Sequence, residues 1–123
     1  MKSTILHIGK DAISENEPIL ILFGENATEP IRDVSVLQGF EGDVSEFVFH
    51  VGDAVHFGEQ VYQVSHVGEN VGMNLKELGH VTFVFDAFDP EHFIETSVCL
   101  IPHTFPTLEL GMTIQYVSNS QGA

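Results

Sequence analysis

The apolar residues of this chain come in short runs, mostly with a period of two, and most of the runs are cut off by glycine or proline. A chain patterned this way is committed to strands, because alternate side chains of a strand face opposite sides. Ser3–Ile8 ends at Gly9, and Ile19–Phe23 runs from Pro18 to Gly24. Glu46–Val51 leads into Gly52-Asp53, Ala54–Phe57 into Gly58-Glu59, and Val61–Val67 follows. The two-residue connection with glycine first predicts a tight hairpin turn. His80–Phe85, Ser97–Ile101 and Met112–Val117 complete the set, and residues 119–123 read as a frayed tail. Ala27–Asp33 is compatible with a short helix or a loop.

One segment breaks the rhythm. Val71, Leu75 and Leu78 recur at offsets of four and three, which makes one helical stripe near residues 70–79. Asn70 is placed to cap it and Gly79 to end it in the left-handed conformation. The expectation is an all-β domain, a small barrel or sandwich of about seven to eight short strands with this one helix. At 123 residues the chain is expected to form a single domain, 1–123. No long helices alternate with the strands, which argues against a doubly wound nucleotide fold.

Charge limits the partners. With 18 acidic and 4 basic residues the formal charge is −14. Nucleic acid and anionic lipid would be repelled, and a basic protein face is the matching partner. The apolar runs are far below the roughly 20 residues of a membrane-spanning helix, so no insertion is expected. Cys99 is the sole cysteine and cannot form an internal disulfide. With no export signal visible, a reducing cytoplasm is expected. A strand edge left open would let two copies associate.

The chain holds seven histidines, His7, His50, His56, His66, His80, His92 and His103. Neither H-x-x-x-H nor H-x-H occurs, so no metal and no cofactor is expected. Nucleotide-binding and serine-hydrolase motifs are absent. Phosphoryl relay by a neutral imidazole asks for much less. One ring nitrogen attacks, and a partner on the other fixes the tautomer.

The run Asn74-Leu75-Lys76-Glu77-Leu78-Gly79-His80-Val81-Thr82-Phe83 resembles the signature of the glucitol/sorbitol-specific IIA component of the bacterial phosphoenolpyruvate-dependent sugar phosphotransferase system. The flanking Val67-Gly68 and Phe85-Asp86, the turns at Gly52 and Gly58, and Ile19–Phe23 extend the likeness from about residue 3 to residue 117. The resemblance implies a cytoplasmic histidine phosphocarrier. It would accept phosphate from the phosphocarrier protein HPr and pass it to the IIB part of a membrane permease (IIB/IIC) that phosphorylates sorbitol.

It also implies a departure. The phospho-accepting histidine of the family matches Gln38 in Asp33-Val34-Ser35-Val36-Leu37-Gln38-Gly39-Phe40. A carboxamide nitrogen, with its lone pair delocalised, is no phosphoryl acceptor. His80, in the L-G-H match, is the first substitute, with a structural part at the helix–strand junction as its other reading. His50 is the second, with an ordinary strand-end histidine as its other reading. The alternatives are a degenerate relative that binds partners without relay, and an unrelated ligand- or metal-binding barrel.

Overall fold

A computed structural model describes residues 1–14, 16–42, 44 and 47–118. Eight strands alternate with two short helices in the order β1 (Lys2–Ile8), β2 (Ile19–Phe23), α1 (Glu29–Val34), β3 (Val36–Glu41), β4 (Ala54–Phe57), β5 (Gln60–Val67), α2 (Val71–Leu78), β6 (Val81–Val84), β7 (Ser97–Ile101) and β8 (Thr113–Val117). They close into one barrel in the order β1-β3-β2-β6-β7-β5-β4-β8. β8 pairs back onto β1 through Ser3↔Ile114. The barrel therefore settles the choice between barrel and sandwich.

Closure removes the open edges that an eight-stranded sheet would otherwise expose. β2–β3 and β6–β7 are parallel pairs, and the others are antiparallel.

The period-two pattern maps onto inside and outside. Leu20 and Leu22 of β2 and Val81 and Phe83 of β6 are fully buried in the barrel. Their alternates, Ile19, Ile21, Phe23, Thr82 and Val84, are half-buried on the outer face. Gly58 opens the β4–β5 hairpin at φ 63°, where only glycine is at ease.

α2 lies where the apolar stripe predicts it, with Val71 and Leu75 buried. Leu78, the third member, is exposed, because the helix ends there. Asn70 precedes the helix but its side chain makes no capping bond. Its carbonyl instead accepts from the Asn74 amide, 2.8 Å away.

The stretch expected as a strand up to Val51 is not one. Its first residue, Glu46, and the tail at 119–123 lie outside the described residues. Residues 47–50 form an irregular segment that carries Phe49 into the core at 5% exposure. Phe49 meets Phe47, Phe83 and Tyr116 edge-on, with centroids 4.9, 6.0 and 5.8 Å away. Aromatic burial there outweighs strand pairing.

Candidate functional site

Gln38 sits in the middle of β3 with its side chain wholly inside the barrel, at 0% exposure. A buried amide must find partners or cost several kcal/mol. Its Nε2 donates to the Gly79 carbonyl at 3.2 Å, which fixes which end of the amide is which. Its Oε1 accepts from Ser3 Oγ at 2.7 Å and from the Tyr116 hydroxyl. Burial pushes the Tyr116 phenol well above its ordinary value, with the bonds to Ser3 and Gln38 opposing, so it remains a donor. Gln38 is a structural hub and is not poised for transfer.

The bond to Gly79 ties this hub to the turn between α2 and β6. Gly79 takes φ 62° and hands the chain to His80. A Cβ on Gly79 would lie 2.8 Å from backbone atoms of Gly24, and Gly24 N–H donates to the Leu78 carbonyl at 2.9 Å. Only glycine lets the turn press this closely on the end of β2.

His80 is half-buried at that junction. Its ring stacks on Phe23, with centroids 4.2 Å apart and planes at 19°. Nδ1 lies 3.0 Å from the Leu22 carbonyl. A carbonyl only accepts, so Nδ1 carries the proton and Nε2 keeps its lone pair. Burial lowers the His80 pKa, and the Leu22 bond only partly opposes it. The ring is held neutral in one tautomer. The structural part expected for His80 is therefore present, and it leaves the other nitrogen available.

Beside the turn lies a shallow depression of about 300 Å³, with Glu25, Asn26, Phe40, Glu77 and Gly79 around it and Gln38 beneath. His50 belongs elsewhere. Its ring is exposed, with Nδ1 3.7 Å from Oδ2 of the buried Asp53. The same oxygen accepts the His50 backbone N–H at 2.8 Å. His50 follows Phe49, whose ring meets Tyr116, so its link to Gln38 is indirect.

Two further histidines have partners that composition hid. His92 Nδ1 lies 2.8 Å from Asp89 Oδ2, a D-x-x-H spacing that reading along the chain could have found. His66 is stacked on Phe88 at 3.8 Å and meets Phe93 edge-on at 4.7 Å. Among the described residues no group of three or more His, Cys, Asp or Glu is placed to hold a metal ion. Cys99 is buried, and burial raises its thiol pKa, with the Asp86 charge adding to it.

Residues 1–115 match the family model described as the glucitol/sorbitol-specific IIA component of the PTS system. The chain belongs to this family. It is 32% identical over 93 residues to the glucitol/sorbitol-specific EIIA component of the PTS system from Escherichia coli K12, which covers 75% of this chain and 74% of that protein. The Shigella flexneri protein of the same description is 31% identical over 84 residues, covering 57% of this chain and 68% of that one. The crystal structure of a PTS system IIA component from Enterococcus faecalis V583 superposes with a TM-score of 0.89 at 33% identity. That match covers 96% of this chain and all of the other.

Membership agrees with the resemblance drawn from the N-L-K-E-L-G-H-V-T-F run and removes the reading as an unrelated barrel. This IIA component has no described helix long and apolar enough to cross a membrane.

Proposed function

We propose that this IIA component is a single cytoplasmic domain, 1–123, that relays a phosphoryl group on His80. It receives the group from HPr and passes it to the IIB part of the sorbitol permease. The observation that carries this reading is the His80 tautomer, with Nδ1–H on the Leu22 carbonyl and Nε2 free. The Nε2 lone pair forms a bond to phosphorus as the donor's own N–P bond breaks, and that electron pair returns to the donor imidazole. The second transfer, to IIB, repeats the step in the outward direction. Neutrality matters because a protonated imidazole has no lone pair to offer.

A second reading has its own support. By the resemblance Gln38 stands where the family carries its phosphohistidine, and it has a partner for both ends of its amide. A protein built around that amide would dock partners without carrying phosphate.

One experiment separates the two. The protein is incubated with phosphoenolpyruvate, enzyme I and HPr, then weighed intact. Relay predicts a gain of one phosphoryl group that His80→Ala abolishes. No gain in the parent, together with an acid-labile gain in Gln38→His, establishes the second reading and defeats the first.

A further inference from the structure

The outer face of the β2–β6 pair forms one strip. Ile19 lies across from Val84 and Ile21 across from Thr82, and the Phe23 and His80 rings stack at the end of the same row. At the end away from His80 the strip becomes the floor of a groove of about 430 Å³. Phe93 and Ile94 wall it, and Thr82 lies in it. Thr82 is two strand residues from His80, about 7 Å along β6.

The segment between β6 and β7 forms the wall, and it is anchored. Phe88 and Phe93 clamp His66, and Asp89 holds His92. At its far end the Glu95 carbonyl accepts the Asn70 N–H at 2.9 Å, and the Glu95 side chain accepts the Glu69 N–H at 3.0 Å. The groove is therefore preformed, which lowers the cost of binding.

The groove is apolar below and acidic around. Glu17, Asp86 and Asp89 are all exposed at its edge, and none of its described lining residues is Lys or Arg. A small free cation would gain little here, since exposed ion pairs are weak in water. A protein face carrying several basic residues around an apolar side chain gains from steering and burial together.

We propose that this groove is the docking surface for the basic face of the phosphoryl-carrying partner, seated so that its phosphoryl group reaches His80 along the strip. The proposal rests on His80 as acceptor for its purpose, but the surface is tested without it. An aliphatic side chain of the partner fills the space over Ile21 and Val84. Its flanking Lys or Arg residues meet Glu17, Asp86 and Asp89.

Fluorescently labelled HPr is titrated with the parent, with E17Q/D86N/D89N and with Thr82→Lys, at low and at high salt. The control D11N/E59Q/E109Q removes the same charge elsewhere. The groove triple variant weakens binding about tenfold and the control less than about threefold. Thr82→Lys, which puts a cation on the floor, abolishes binding, and the parent's affinity falls with salt. Parent-like binding by both groove variants, an equal loss in the control, or no binding by the parent overturns the proposal.

Phosphoramidate, a small donor whose phosphorus–nitrogen bond breaks to release ammonia, needs no docking surface. Equal labelling of His80 in the parent and in the groove triple variant keeps the acceptor assignment whatever HPr does. Absence of labelling at His80 defeats that assignment and leaves the docking result standing.

Discussion

Gln38 Nε2 donates to the Gly79 carbonyl across 3.2 Å, joining the inside of the barrel to the turn that presents His80. Gln38→Leu removes that donor and also the acceptor for Ser3 and Tyr116. Two buried hydroxyls and the part-buried Gly79 carbonyl lose their Gln38 partner at once. The expected loss is about 3 kcal/mol, read as a lower urea midpoint with an unchanged slope. A variant as stable as the parent would show that water replaces the amide.

Gly79→Ala tests the turn itself. The residue combines φ 62° with a Cβ position 2.8 Å from Gly24 backbone atoms. Strain at the dihedral and the clash both fall on the folded state, so a loss of about 2 kcal/mol or more is expected. The His80 Nδ1 bond to Leu22 should loosen with it, visible as a shift of the imidazole nitrogen resonances.

Much of this turn was legible in the chain. Gly79 reads as a helix terminator and His80–Phe85 as a strand, because helix ends and period two are local properties. Barrel order was not legible. β2–β3 and β6–β7 are parallel pairs made by crossovers, and nothing in a single run encodes its neighbour. The groove escaped for the same reason, since Glu17 comes to the same groove as Asp86 and Asp89 only when β2 and β6 pair. Gln38 was noticed through its family match. That it would be sealed and bonded at both ends depends on Ser3 and Tyr116 at its oxygen and Gly79 at its nitrogen, which are 35, 78 and 41 residues away in sequence.

Phe49 shows how packing overrides pattern. Phe47, Phe49 and Val51 alternate like a strand, yet Phe49 seals the core from an irregular segment. Phe49→Ala leaves a cavity against Phe47, Phe83 and Tyr116. A loss of about 3–4 kcal/mol is expected, with a weaker near-ultraviolet tyrosine signal as Tyr116 loosens. Phe49→Leu should recover more than half of it.

His80 makes stability depend on pH in a definite direction. Its pKa is lowered from 6.5 in the folded protein by burial. Below pH 6.5 the unfolded chain therefore binds more protons at this residue than the folded one does. The His80 contribution is fully present above the unfolded value and is lost as the pH falls toward the folded one. Urea midpoints should drop on acidification from about pH 7 to pH 5, and His80→Gln should flatten part of that slope. A parent and variant with parallel profiles would mean that the ring is protonated as easily folded as unfolded.

His50 and Asp53 supply the contrast that decides between the two candidate imidazoles. Asp53 is buried, and its Oδ2 accepts the His50 backbone N–H at 2.8 Å, so Asp53→Ala strips a turn of its side-chain acceptor. About 1–2 kcal/mol should go with it. The His50 ring is exposed and stands 3.7 Å from that carboxylate, a weak pairing in water. His50→Ala should therefore change stability by no more than about 0.5 kcal/mol and leave phosphoryl uptake at the parent's level. If His50→Ala abolishes uptake while His80→Ala does not, the exposed ring braced by Asp53 is the acceptor. His80 would then hold the end of β2 to the helix–strand turn and do nothing more.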